Sequence, residues 1–191
     1  SKDAENFEKK WRDIKIFIEY GMLSDEKFCD RAMKFALLEN ISGKYYKLDD
    51  YKKLIEANQT DKDGNLIYLY ATDKEGQYSF IKAAADKGYD VLMMDGELDT
   101  PFMSMLEQKN EKSRFVRIDA DVLDNLVKKE DAKQPELTDE QKNIASTLFK
   151  SQIPALDKCE FYVTYASLNP NDQPVIITQG EYMRRMKEMA K

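Results

Sequence analysis

Asp95, Glu97 and Asp99 place three carboxylates within five residues, in a segment that follows an apolar run and precedes a helical pattern. Carboxylates grouped this way can hold Mg²⁺ or divide the work of general acid and base. A small Mg-dependent α/β enzyme built on these three residues is therefore one reading of the sequence. The competing reading is a solvated loop in which Asp99 caps the helix that follows. The second is favoured, because neither a phosphate-binding glycine loop nor another catalytic partner accompanies the acids. Asp61-Lys62-Asp63-Gly64-Asn65 resembles the opening of a calcium loop, but a strand pattern starts directly after the glycine, which predicts a turn with Gly64 at positive φ. Thr72-Asp73-Lys74-Glu75-Gly76 stands where a dinucleotide site would have its glycines, and it holds one glycine and two acids. The chain has no histidine, which removes Ser-His and Cys-His nucleophile pairs and the commonest zinc ligand. Cys29 and Cys159 are far apart and outside any C-x-x-C pair, as expected of reduced thiols.

The elements that would position these groups follow from periodicity. Asn6 to Met22 is predicted helical, with Phe7, Trp11, Ile14, Phe17 and Ile18 at helical spacing and Gly21 as its stop. Ser24 is expected to cap a second helix presenting Phe28, Ala32, Phe35 and Leu38 on one face. A short extended piece, 44–47, and a small helix capped by Asp49 or Asp50 come next. Leu66 to Ala71 is a continuous apolar run, the pattern of a strand covered on both faces. A helix ended by Gly88, a strand at Val91 to Met94, a helix with Pro101 in its first turn and a strand at Phe115 to Ile118 complete a β-α-β-α-β order. That order predicts a small parallel sheet with right-handed crossovers. The stretch 128–137 is charged and carries Pro135, and is expected to be a linker between residues 1–127 and 138–191. Thr138 and Gln141 have capping-box spacing. Glu160 to Tyr165 and Val175 to Thr178 are predicted to pair as an antiparallel hairpin, before a terminal helix that begins near Gln179. The fold class is thus α/β, α+β overall: a helical pair, a three-layer parallel-sheet subdomain, and the start of a second α+β domain.

Hydrophobic residues make up 42% of the 191 residues and charged ones 35%, with a net charge of −6. An acidic balance disfavours non-specific nucleic-acid binding. No apolar run reaches the roughly 20 residues that span a bilayer, and no signal-peptide pattern opens the chain, so a cytoplasmic protein is expected. The chain starts at Ser1 and ends inside a helical pattern, as expected of a piece of a longer protein.

Nine methionines are a positive oddity. Methionine fills cores, and it also makes adaptable surfaces for varied partners. In the last helix Tyr182, Met183, Met186, Met189 and Ala190 fall on one face, and Arg184, Arg185, Glu188 and Lys191 on the other. Either the adjacent hairpin covers the apolar face, as in a purely structural connector, or a partner does; on the second reading the face is exposed or half-exposed and shares a cleft with Phe102, while the charges face solvent.

Taken in order, several stretches resemble the heat-shock protein 90 chaperones, most closely the bacterial type. They are Asn6-Phe7-Glu8-Lys9-Lys10-Trp11 with Ile18-Glu19-Tyr20-Gly21, Lys34-Phe35-Ala36-Leu37-Leu38, Leu48-x-x-Tyr51 with Ile67-Tyr68-Leu69-Tyr70-Ala71, Gly88-Tyr89-Asp90-Val91-Leu92 with Leu98-Asp99, and Tyr182-Met183-Arg184-Arg185-Met186-Lys187. The resemblance implies the back of the family's middle domain joined to the front of its C-terminal domain. It implies a protein-binding role toward unfolded or partly folded clients, with contacts at Thr100, Pro101, Phe102, Met183 and Met186, to which the apolar helix face adds Tyr182 and Met189. Thr100-Pro101-Phe102 departs from the acidic and aromatic residues often found there in the family. The resemblance places the ATP and Mg²⁺ site, the catalytic arginine and the dimerising helices of the parent outside this chain. A monomer without catalysis, cofactor or metal is the expectation for the piece, and a homodimeric ATPase for the parent.

Overall fold

Strand β3 (Leu66–Ala71) is buried at every residue and has a neighbour on each side. Successive side chains of a strand point to opposite faces. Leu66, Tyr68 and Tyr70 accordingly enter one core cluster, and Ile67, Leu69 and Ala71 enter the other. A sequence buried on both faces cannot show polar alternation, which is why this strand is apolar throughout.

The computed structural model describes residues 3–129, 137–154, 160–166 and 174–189. They divide between two units, residues 1–130 with 176–191, and residues 131–175. In the first unit β3 pairs in parallel with β4 (Val91–Met93) and β5 (Ser113–Arg117), in the order β4-β3-β5. Helix α4 (Tyr78–Asp86) links β3 to β4, and α5 (Asp99–Lys109) links β4 back past β3 to β5. The two crossovers run in opposite directions, so right-handed connections place their helices on opposite faces. Ile81 and Ala84 of α4 lie in the cluster of Ile67 and Leu69, and Phe102, Met103 and Leu106 of α5 in that of Tyr68 and Tyr70. Gly88, at φ 73°, follows the α4 cap, a conformation other residues rarely adopt.

Helix α1 (Ala4–Ser24) packs on α2 (Glu26–Ala32) and α5, burying Trp11 and Met22. Gly21 does not end α1. A Cβ there would lie 2.7 Å from the Phe28 ring, so Gly21 marks the close approach of α1 to α2. The cap of α2 is Asp25 rather than Ser24, its carboxylate accepting from the Phe28 amide at 2.6 Å. The expected helical face through Phe35 and Leu38 is also corrected. Leu37–Glu39 is a strand, β1, paired antiparallel with β2 (Tyr45–Lys47). Helix α3 (Leu48–Gln59) buries Tyr51 and Ile55. The rings of Tyr51 and Tyr68 lie 5.9 Å apart, and those of Tyr68 and Phe115 4.6 Å apart. Beyond β5 come a short α6 (Leu123–Leu126) and the bonds from Lys62 N to Lys128 O (2.7 Å) and from Lys129 Nζ to Thr60 O (2.7 Å), so the expected linker starts on residues held by this unit. Residues 130–136 lie outside the described residues. Helix α8 (Glu181–Met189) is counted with this unit.

In the second unit α7 (Asp139–Gln152) opens with the predicted capping box, Thr138 and Gln141 each bonding the other's backbone amide. Tyr165 donates to Lys142 O at 2.6 Å, tying 160–166 to the helix. The expected strands are corrected: 160–166 in this unit and 176–180 in the first are coil, and the Asn169–Gln173 part of the turn lies outside the described residues.

Candidate functional site

The three acids of the 95–99 segment do not converge. Asp95 and Glu97 are exposed. Asp99 is buried at the first position of α5, where its Oδ2 accepts from the Gly96 amide at 2.8 Å and its Oδ1 meets Lys15 Nζ at 2.6 Å. A carboxylate at a helix N-terminus is favoured by the local dipole. Glu19, one turn along α1 from Lys15 and 3% exposed, lies 3.8 Å from the same ammonium. Two carboxylates thus share one cation at the α1–α5 seam. Burial, only partly offset by Lys15 and reinforced by Asp99, pushes the Glu19 carboxyl up to about 8. The arrangement is a structural seam, and among the described residues no group of three or more His, Cys, Asp or Glu side chains is placed to hold a metal ion. Asp61 is likewise a turn residue, its Oδ1 accepting from the amides of Asp63 (2.9 Å) and Asn65 (2.7 Å).

The start of α5 presents its three site residues differently. Pro101 is exposed and Thr100 half-buried. Phe102 is 2% exposed, inside the core with Met103 and Leu106, so it opens onto no cleft shared with α8.

On α8 the amphipathic pattern holds, but its polar side faces the protein. Tyr182 is 73% exposed, Met183 69% and Met186 47%. The side chain of Met189 lies outside the described residues. Arg184, expected to face solvent, is buried, with its guanidinium over the Tyr70 ring and bonded to the Tyr70 hydroxyl. Glu181 Oε1 accepts from Tyr70 Oη (2.7 Å), Arg184 Nη2 (2.6 Å) and Arg185 Nε (2.7 Å), and its Oε2 accepts from the Arg117 amide (3.1 Å). Arg185 continues to Glu107 Oε2 (2.8 Å) and to the Phe115 carbonyl (2.7 Å). Burial alone would raise the Glu181 carboxyl, but the bonds from Tyr70, Arg185 and the Arg117 amide outweigh it and hold it below the usual carboxylate value. Burial would lower the Arg185 guanidinium, and Glu107 and Glu181 reverse that. Buried charges are tolerated when paired and hydrogen-bonded, and these are. The helix periodicity gave both faces of α8. It gave no sign of which face turns inward, because the acceptors for the arginines outside α8 lie 70 to 114 residues away in sequence.

None of the described helices is long and apolar enough to cross a membrane. No family model matches the sequence. The chain is 57% identical over 188 residues to the chaperone protein HtpG of Bacteroides thetaiotaomicron, a match covering 98% of this chain and 28% of that protein. It is 48% identical over 188 residues to the chaperone protein HtpG of Porphyromonas gingivalis, with the same coverage of both. Among solved structures, the middle domain of a Plasmodium falciparum heat shock protein aligns with a TM-score of 0.41 and 17% identity over 53% of this chain and 43% of that one. Along nearly its whole length the chain belongs to the HtpG chaperones, the bacterial members of the heat-shock protein 90 family, as a stretch spanning 28% of the length of the curated relatives it matches.

Proposed function

We propose that this chain is the client-binding, non-catalytic stretch of an ATP-dependent cytoplasmic chaperone, with residues 1–127 from the middle domain, 128–137 as linker and 138–191 from the C-terminal domain. ATP, Mg²⁺ and the dimer contacts belong to the parent protein. The outward apolar face of α8 is the observation that carries this reading. Tyr182, Met183 and Met186 are exposed, while on the same helix Arg184 is buried and Glu181 and Arg185 are half-buried. Unfolded clients vary in sequence, so a surface for them gains from flexible thioethers that adapt their shape and from apolar area, at roughly 25 cal/mol per Å². Pro101, exposed at the start of α5, adds a second contact.

The test is Met183→Ser with Met186→Ser in the full-length chaperone. Binding of a permanently unfolded, carboxymethylated client should weaken at least fivefold, while the thermal midpoint of the 191-residue chain stays within about 1 °C, since these side chains are not core. Unchanged client binding with a clearly lower midpoint would show that they are structural instead.

A further inference from the structure

Among the described residues strand β5 pairs only with β3, so its other edge is a row of backbone groups that this pairing leaves unused. Along that strand Lys112 O and Ile118 N bond toward β3, accepting from Leu66 N (2.7 Å) and donating to Tyr70 O (2.8 Å). In a parallel ladder alternate residues face alternate sides, so Ser113, Phe115 and Arg117 face outward. The outer groups at the strand ends are satisfied locally: Ser113 N by Asn110 O (2.9 Å), Ser113 O by its neighbour Arg114 (2.8 Å) and Arg117 O by Ala120 N (2.9 Å). The three between them are met by charged side chains. Phe115 N donates to Glu107 Oε1 (2.6 Å), Phe115 O accepts from Arg185 Nη2 (2.7 Å), and Arg117 N donates to Glu181 Oε2 (3.1 Å). Acceptor, donor, acceptor is the sequence of groups an added strand's backbone would offer to these positions. Two of the three come from α8, and none of its described side chains, those of residues 181–187, enters either core cluster. Withdrawal of this helix takes none of those side chains out of the core and bares the Tyr70 ring beneath Arg184.

We propose that α8 is a removable cover over the β5 edge, and that the uncovered edge takes up an extended, unfolded polypeptide segment by strand addition. The occupant is an extended chain because only a strand's backbone supplies that alternation at the required spacing, whatever its side chains. This suits a surface that must receive many sequences. It deepens the client-binding reading, yet the two stand or fall separately.

The experiment uses the 191-residue chain, the variant Glu181→Ala/Arg185→Ala, and two ten-residue peptides with blocked ends. One alternates threonine and valine between terminal lysines; the other is the same peptide N-methylated at every inner residue, which leaves neither edge an N–H to give to a ladder. In the variant the Arg117 amide should exchange at least tenfold faster than in the parent chain. The plain peptide should bind the variant at least tenfold more tightly than the parent chain and restore protection at Arg117, and the methylated peptide should do neither. An Arg117 amide equally protected in both chains, or equal binding of both peptides, overturns the proposal. If the double variant does not fold, Glu181→Gln gives the same readings with changes of about threefold, and their absence is equally decisive. Met183→Ser/Met186→Ser should weaken both peptides alike and leave the preference for the plain one intact, which separates failure of the outer face from failure of the edge.

Discussion

Replacing Glu19 by Gln tests the α1–α5 seam. In the folded chain this carboxyl sits at about 8, against 4.5 for an ordinary glutamate. A carboxyl raised on folding contributes stability that is fully present below the unfolded value and lost as pH rises through the folded one. Between pH 4.5 and 8 the wild-type chain should therefore lose stability relative to Glu19→Gln by about 1.4 kcal/mol per pH unit. Across the whole interval that is about 5 kcal/mol at most, and less where water reaches the part-exposed Lys15. The signal is Trp11, the single tryptophan, buried on α1 one turn before Lys15. Urea unfolding of both chains, followed by its fluorescence at half-unit steps from pH 5 to 9, gives the difference directly, because every other titrating group is common to both. A stability difference that stays constant within about 0.5 kcal/mol over that range would refute the shared-cation account of Lys15, Glu19 and Asp99.

Gly21→Ala sets two effects against each other: helix propensity favours alanine by about 1 kcal/mol, and displacing the Phe28 ring costs about 1–3 kcal/mol. The urea midpoint should fall, and an unchanged or higher one would show that α1 and α2 separate freely. Acid should release α8, since a carboxyl held below its ordinary value contributes stability above that value and loses it as pH falls through the folded one. Exchange at the Arg117 amide, corrected for intrinsic rate, should accelerate below about pH 4.5 in the parent chain and be pH-insensitive in Glu181→Gln.

Period and punctuation made much of the sheet legible. Leu66 to Ala71, Val91 to Met93 and the Gly88 stop stand where the apolar runs and the glycine placed them, and Thr138 with Gln141 forms its capping box. Leu37 and Leu38 were misplaced because a helical stripe and a three-residue strand fit the same short apolar spacing, and only pairing with Tyr46 and Lys47 decides. Gly21 was misread because a glycine that admits a neighbouring ring and one that ends a helix look alike until the neighbour is known. At the candidate site the grouping of Tyr182, Met183 and Met186 on one face followed from the helix pattern, and which way that face turns did not. The burial of Arg184 did not, since it depends on Tyr70 in a strand more than a hundred residues earlier.

Tyr70 itself belongs to the innermost strand, yet its hydroxyl is the end of the α8 network. Among the described residues it is the tyrosine whose phenol donates to α8 and receives from it. The deepest part of the sheet therefore carries a built-in optical and magnetic reporter of what lies on the outer helix. A fluorine label at this ring would change frequency when Glu181 and Arg184 leave, without any probe being placed on the surface where a client would bind.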